Sequence, residues 1–302
     1  MSVSNAQDWF SQMEELCSSS PEQAVDRLRA ALVDMKEADQ AKAHYLLAQC
    51  YRKLHQQQNE ESALMACIGY FKESGERESY YFCNIGLAKV NANFGRYEAS
   101  MNYLKEAQEL ATEANNREWM IRVYDNLGLL HSRMSRNDES VQYYTEALRL
   151  LRNTPGSKQL QSMKTNVYLG NVYIKMKLYD RAYDHFTMAL TESKPDFNSY
   201  DSQMPLRGLA YLFLDQQKPD VAKRFLEKAH QQLSIKSDII SEMRLYLLDA
   251  EYEQQKGDNH ASLQILQKGL ALFKQQEVAV LKVQYLRAIA AVEKKINEAK
   301  GC

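Results

Sequence analysis

The chain has 302 residues, of which 45% are hydrophobic and 25% charged, the balance of a soluble folded protein. A formal net charge of −1 argues against nucleic acid as a partner, which needs a strongly basic surface. No stretch approaches the roughly 18 consecutive apolar residues of a membrane span, so no membrane partner is expected.

The N-terminal stretch from Met1 to Asp8 is polar and lacks the basic and apolar regions of a signal peptide. Cys17, Cys50, Cys67, Cys83 and Cys302 are odd in number, scattered and mostly on apolar helical faces. They read as small core residues in a reducing compartment rather than a disulfide framework, so the expected location is the cytoplasm. Ser20-Pro21-Glu22 is a helix start with a cap and a proline at the first helical position. Ala24, Leu28 and Ala31 then share one helical face, with Trp9 on the partner helix.

From there a Leu-Ala or Leu-Gly pair recurs at Leu47-Ala48, Leu87-Ala88, Leu127-Gly128, Leu169-Gly170 and Leu209-Ala210, and a blurred copy ends at Ala250. The steps between second members are 40, 40, 42, 40 and 40 residues, and each is followed 19 residues later by a small residue. Such a period marks stacked structural units, each packing on its neighbours. The unit at Asn166-x-x-Leu169-Gly170-x-x-Tyr173, then Ala182-x-x-x-Phe186-x-x-Ala189, gives one face on each of two helices. Lys177-Leu178-Tyr179-Asp180 is the expected turn between them. Gly170 and Ala182 let the two helices approach closely, with Tyr173 and Phe186 filling the flanks.

This pattern resembles the tetratricopeptide repeat, whose signature is W-x2-L-G-x2-Y, then A-x3-F, then P. Tyr124, Leu127, Gly128, His131, Ser140, Tyr144 and Ala147 repeat it, as do Leu87, Ala88, Ser100, Leu104 and Ala107. The unit of Leu47, Ala48 and Tyr51 departs from it by carrying Glu60 where a small residue is expected. The resemblance implies an all-α, right-handed superhelical solenoid of antiparallel helix pairs, a single domain over 1–302. Its seven repeats span approximately 5–35, 38–74, 77–115, 117–153, 158–194, 199–235 and 237–274, followed by a capping or linker helix over 277–300. The long spacing is similar to that of bacterial peptide-responsive regulators of the Rap type and of sensory regions attached to signalling enzymes.

Local punctuation adds loops at 153–157 and 193–196, places Pro205 in the first turn of its helix, and lets Pro219-Asp220 open another. The last helix is apolar at Val280, Val283, Leu286, Ile289, Ala290 and Ile296. Tyr80-Tyr81 and Tyr143-Tyr144 are each expected to turn one ring outward.

No catalytic signature is present. The eleven glycines are isolated, the six histidines form no H-x-x-x-H pair, and no metal or other cofactor is implied. His131 reads as a satisfied core histidine, and Glu60-Glu61 and Asp138-Glu139 as acidic starts of second helices. The expectation is a non-enzymatic protein.

In tetratricopeptide proteins the inner surface is built from fixed positions of each first helix, and the resemblance carries these onto thirty residues here. Ten are basic and three acidic, a local balance of +7 in a chain of −1. The residues expected to hold a ligand are Arg52, Lys53, Lys89, Asn93, Arg122, Arg133, Lys164, Asn171, Lys175, Arg207, Tyr211 and Arg244. Lysine and arginine hold carboxylates, and asparagine holds an extended backbone. The expected partner is an acidic or extended peptide, or a protein; a homodimer through an end repeat is compatible with the sequence. The alternative reading is an N-terminal sensory region of a larger bacterial signalling enzyme, such as a diguanylate cyclase or kinase.

Overall fold

The computed structural model describes residues 3–153, 159–193, 199–235, 239–275 and 279–300. Among these residues every element is helical. The expected loop residues Thr154 to Ser157 and Lys194 to Asp196, the helix start at 277 and Cys302 lie outside them.

Helices come in pairs. They are α1 (Val3–Ser19) with α2 (Pro21–Ala31), α3 (Glu37–Lys53) with α4 (Gln57–Ser74), and α5 (Arg77–Asn93) with α6 (Tyr97–Glu113). Then follow α7 (Arg117–Arg133) and α8 (Asn137–Arg152), α9 (Gln159–Lys175) and α10 (Tyr179–Glu192), α11 (Ser199–Asp215) and α12 (Pro219–Ile235), and α13 (Ile239–Gln255) and α14 (Asn259–Ala271). A longer helix, α15 (Ala279–Lys300), closes the described chain. The chain divides into two compact units, residues 1–130 and residues 131–275 with 279–302.

The turn inside each helix pair from α3–α4 to α13–α14 is the same device. His55, Gly95, Ser135, Lys177, Gln217 and Gly257 all take positive φ, between 57° and 88°. The next residue returns its N–H to a carbonyl five residues back, as in Gln56 to Tyr51, Arg96 to Asn91 and Leu178 to Tyr173, each at 2.9 Å. This left-handed stop satisfies carbonyls that a helix end leaves unpaired. Only Gly95 and Gly257 have the residue that adopts it without strain. Tyr179 and Asp180, expected in a turn, are already helical, because the stop ends at Leu178.

In the first unit the core runs through Met13, Leu28, Leu46, Leu47, Leu64, Phe71 and Leu87, of which Leu28, Leu47 and Leu87 are positions picked out by the repeat spacing. Tyr80 and Tyr81 are both buried, contrary to the outward ring expected from sequence. Helix α5 packs on α4 and α6, so Tyr80 reaches Glu106 of α6 at 2.9 Å. Tyr81 stacks on Trp119, with centroids 4.3 Å apart, and donates to its carbonyl at 2.8 Å.

The cysteine reading needs correction. Cys17 of α1 and Cys50 of α3 are joined in a disulfide, with Cα atoms 5.3 Å apart. Their 33-residue separation conceals a contact made only when α1 lies on α3. Cys67 and Cys83 are buried free thiols with sulfurs 3.7 Å apart.

In the second unit Phe186 of α10 is the wedge. Its ring lies against Gly170 of α9 and Gly208 of α11, where an added Cβ would fall inside contact distance. The close approach at Gly170 expected from sequence is present; Gly208 makes the same approach from the next repeat. Pro205 lies in the second turn of α11, since the helix begins at Ser199. Ser20 precedes α2 but makes no side-chain capping bond.

His131 is buried beside Tyr143, as expected of a core histidine, although its Nδ1 finds no hydrogen-bond partner among the described residues. The buried stripe of α15 is Leu281, Tyr285, Val292 and Ile296. Val283 and Leu286, expected on it, are 45% and 49% exposed. Tyr285 sets that register by lying over Gly269 and donating to the Met243 carbonyl.

Candidate functional site

The twelve residues expected to hold a ligand all lie on first helices or at their ends. The fold gives them different surroundings in the two units.

In the first unit, Arg52 of α3 is bound by Glu60, with Nε to Oε1 at 2.6 Å. Glu60 occupies the repeat position held elsewhere by Ser100, Ser140, Ala182, Ala222 and Ser262, all buried. A carboxylate there is 5% exposed and needs a cation, which Arg52 supplies. Burial still raises the Glu60 pKa against the pull of Arg52. The dipole role expected of Glu60 is therefore secondary to this ion pair. Lys53 donates to the hydroxyl of Ser18 at 3.1 Å, and Asn93 is half-buried at the end of α5. Lys89 keeps an accessible side chain near the guanidiniums of Arg52 and Arg122. Removal from bulk water, then repulsion by both guanidiniums, lowers its pKa to about 8.

In the second unit, Asn171, Lys175, Arg207, Tyr211 and Arg244 line one cavity of about 480 Å³. Five of the expected residues thus converge on a single space. Helices α9, α11 and α13 supply them, because adjacent first helices pack side by side. Apolar Val167, Met204, Leu247 and Leu248 complete the wall, with Gly208, Glu251 and Gln284. Three cations and one carboxylate give the lining a balance of +2.

Lys175 is fixed at the rim. It donates to the Ser132 carbonyl at 2.9 Å and the Ser132 hydroxyl at 2.8 Å. Burial, then repulsion from Arg133, holds its pKa below the ordinary lysine value. Burial, then Asp215, raises the Glu251 pKa, and burial with Asp215 and Glu251 raises that of Tyr211. Arg207 is 8% exposed, so its charge is largely out of bulk water. Lys164 stands apart from the cavity, bound to the buried Asp201 at 2.9 Å. The arrangement can hold anionic groups and seat apolar side chains beside them. Among the described residues no group of three or more His, Cys, Asp or Glu could hold a metal ion, and no helix is long and apolar enough to cross a membrane.

Glu60, Gly208, Leu248 and Gln284 are not among the site residues expected from sequence. Glu60 stands out in sequence as a departure from the repeat pattern and as an acidic helix start, not as a partner for Arg52. Gly208 carried no signal, since its role depends on a ring from a neighbouring helix.

Comparison with known proteins agrees with the fold. Residues 81–153 match the tetratricopeptide-repeat family model. No curated protein matches the chain. Among solved structures, the apo form of RapI superposes with a TM-score of 0.68 at 15% identity, over 90% of this chain and 98% of that one. NprR in complex with its cognate peptide NprX gives 0.69 at 12% identity, over 97% and 89%. The Rap conjugation gene regulator of plasmid pLS20 in complex with the Phr* peptide gives 0.63 at 17%, over 90% and 72%. The chain therefore has the all-α tetratricopeptide-repeat fold, and its architecture is similar to that of Rap- and NprR-type regulators.

Proposed function

We propose that this protein is a non-enzymatic regulatory scaffold that recognises an acidic, extended peptide, seated in the cavity formed by α9, α11 and α13. The observation that carries this reading is the convergence of Asn171, Lys175, Arg207, Tyr211 and Arg244 on one cavity with apolar walls. Arg207 and Arg244 offer forked donors to carboxylates, and Asn171 offers both a donor and an acceptor to a peptide backbone. Val167, Met204, Leu247 and Leu248 supply an apolar floor for a neighbouring side chain. The similar NprR and plasmid Rap structures were solved with peptides, which supports a peptide as the ligand class.

The test is selection from a random peptide library on the full chain, followed by fluorescence anisotropy of the enriched sequences. Enriched peptides are expected to carry Asp or Glu and to bind more weakly as salt rises. Arg207→Gln with Arg244→Gln is expected to weaken binding at least tenfold, since a hydrogen bond to a charged group contributes about 1.5–3 kcal/mol. Enrichment without acidic residues, or equal binding by the double variant, would overturn the assignment.

A further inference from the structure

A second charged cluster, in the first unit, takes no part in the proposed peptide seat. Phe82, Gly86 and Lys89 follow one another at i, i+4 and i+7 along one face of α5. Arg122 of α7 lies over the Phe82 ring, 6.0 Å from its centroid. The guanidinium of Arg52 lies over Gly86, where an added Cβ would come within 3.0 Å of Nη2. The bare backbone at Gly86 thus makes room for the Leu64 side chain and for that arginine, one turn from Lys89.

The charged groups facing Lys89 are Arg52 from α3, Glu60 from α4, and Arg122 and Asp125 from α7. Two guanidiniums and two carboxylates balance. Lys89 is the extra cation, and the cluster reaches neutrality when that amine carries no charge.

We propose that Lys89 is a site of chemical acylation by small acyl phosphates, with Arg52 and Arg122 holding the phosphate of the donor. In the reaction the Nζ lone pair attacks the acyl carbonyl carbon. A C–N bond forms as the bond from that carbon to the phosphate oxygen breaks, and its electron pair leaves with phosphate. Phosphate takes up the proton lost by nitrogen, so the products are an amide and hydrogen phosphate. No oxidant or reductant is needed. Guanidinium forks match phosphate oxygens; Arg122 is exposed, and Arg52, also exposed, pairs with Glu60 through Nε while its Nη2 lies beside Gly86. Acylation removes the extra charge and leaves the cluster balanced.

The pKa supports this chemistry. With a value near 8, about half of Lys89 is neutral at pH 8, against roughly 0.4% of an ordinary lysine. Lower basicity weakens the nucleophile, with a Brønsted slope of about 0.4–0.5 in thiol chemistry, so a net advantage of about tenfold is expected.

The experiment treats the full chain at pH 8 with acetyl phosphate and follows each lysine by peptide mass spectrometry. A parallel arm uses an N-hydroxysuccinimide acetate, which has no phosphate. Lys89 is expected to be acetylated about tenfold faster than the exposed Lys105 and Lys223, with a larger preference for acetyl phosphate than for the ester. Arg122→Gln, checked for folding by circular dichroism, is expected to lower the acetyl phosphate preference. Acetylation of Lys89 no faster than Lys105 would overturn the site. Equal preference for both donors would overturn the role of the guanidiniums. Neither result bears on peptide binding in the second unit, which is read separately.

Discussion

Arg52 and Arg207 are both cations on first helices, yet the first unit and the second use them differently. In the first unit Arg52 is taken up by a buried carboxylate, and the cluster around Lys89 holds nearly balanced charge. In the second unit Lys175, Arg207 and Arg244 line a cavity that holds one carboxylate, Glu251. One departure accounts for much of this contrast. Glu60 stands where the other repeats carry serine or alanine, and its burial requires a cation from the neighbouring first helix. A repeat register decides which way a side chain points, while residues on the neighbouring helices decide what surrounds its charge.

The contrast can be broken most forcibly at the glycines. Gly208→Ala is expected to destabilise the second unit by about 1–3 kcal/mol in urea unfolding, because its new methyl meets the Phe186 ring. Gly69→Ala in α4 has nothing within 4 Å and is expected to stabilise by about 0.5–1 kcal/mol through helix propensity. A similar sign at both positions would remove the claim that Phe186 wedges two helices.

The next effect concerns charge in the first unit. The pKa of Lys89 is depressed by folding, so the unfolded chain binds more protons between about pH 8 and the ordinary lysine value. Stability contributed by this residue therefore rises with pH across that window and is lowest beneath it. Lys89→Met is expected to stabilise the protein at pH 7 by about 1 kcal/mol, a figure reduced for the solvent exposure of the side chain. The slope of melting temperature from pH 8 to 10 is expected to flatten in the same variant. An unchanged slope would show that Arg52 and Arg122 do not strain Lys89.

The turns sharpen the comparison further. Gly95→Ala places a methyl at φ 75° and is expected to destabilise by about 1 kcal/mol. Gln217→Gly relieves a left-handed residue at φ 57° and is expected to stabilise by a few tenths of a kcal/mol, the added chain entropy offsetting part of the gain. Thermal melts of both variants test whether the six turns are equivalent.

The smallest effect belongs to His230, whose Nε2 lies 2.8 Å from Asp249. The hydrogen bond to Asp249 raises its pKa above the ordinary value against burial. Its contribution is then complete below about pH 6.5 and is lost as pH rises through the folded value. His230→Gln is expected to lower the melting temperature slightly at pH 6 and not at pH 9. A loss of the same size at both values would assign His230 to packing alone.

Much of the site was legible because the repeat has a fixed register. Asn171, Lys175, Arg207, Tyr211 and Arg244 fall at equivalent positions of three helices, so placing one helix places the others. Lys164 and Arg52 show where this reasoning stops. Their partners Asp201 and Glu60 lie on other helices, and nothing in local spacing announces which carboxylate a cation meets. The last helix shows the same limit: its apolar residues allow more than one stripe, and Tyr285 over Gly269 selects the one that is buried.

The sequence by itself determined the helix pairs, their period and the small residues between them. Those features rest on the 3.6-residue helical turn and on side-chain volume, which are local properties. Only the tertiary structure decided the Cys17–Cys50 disulfide, the burial of both Tyr80 and Tyr81, and which cations line the cavity. Each depends on distances between helices distant in the chain, and electrostatic pairing acts through those distances.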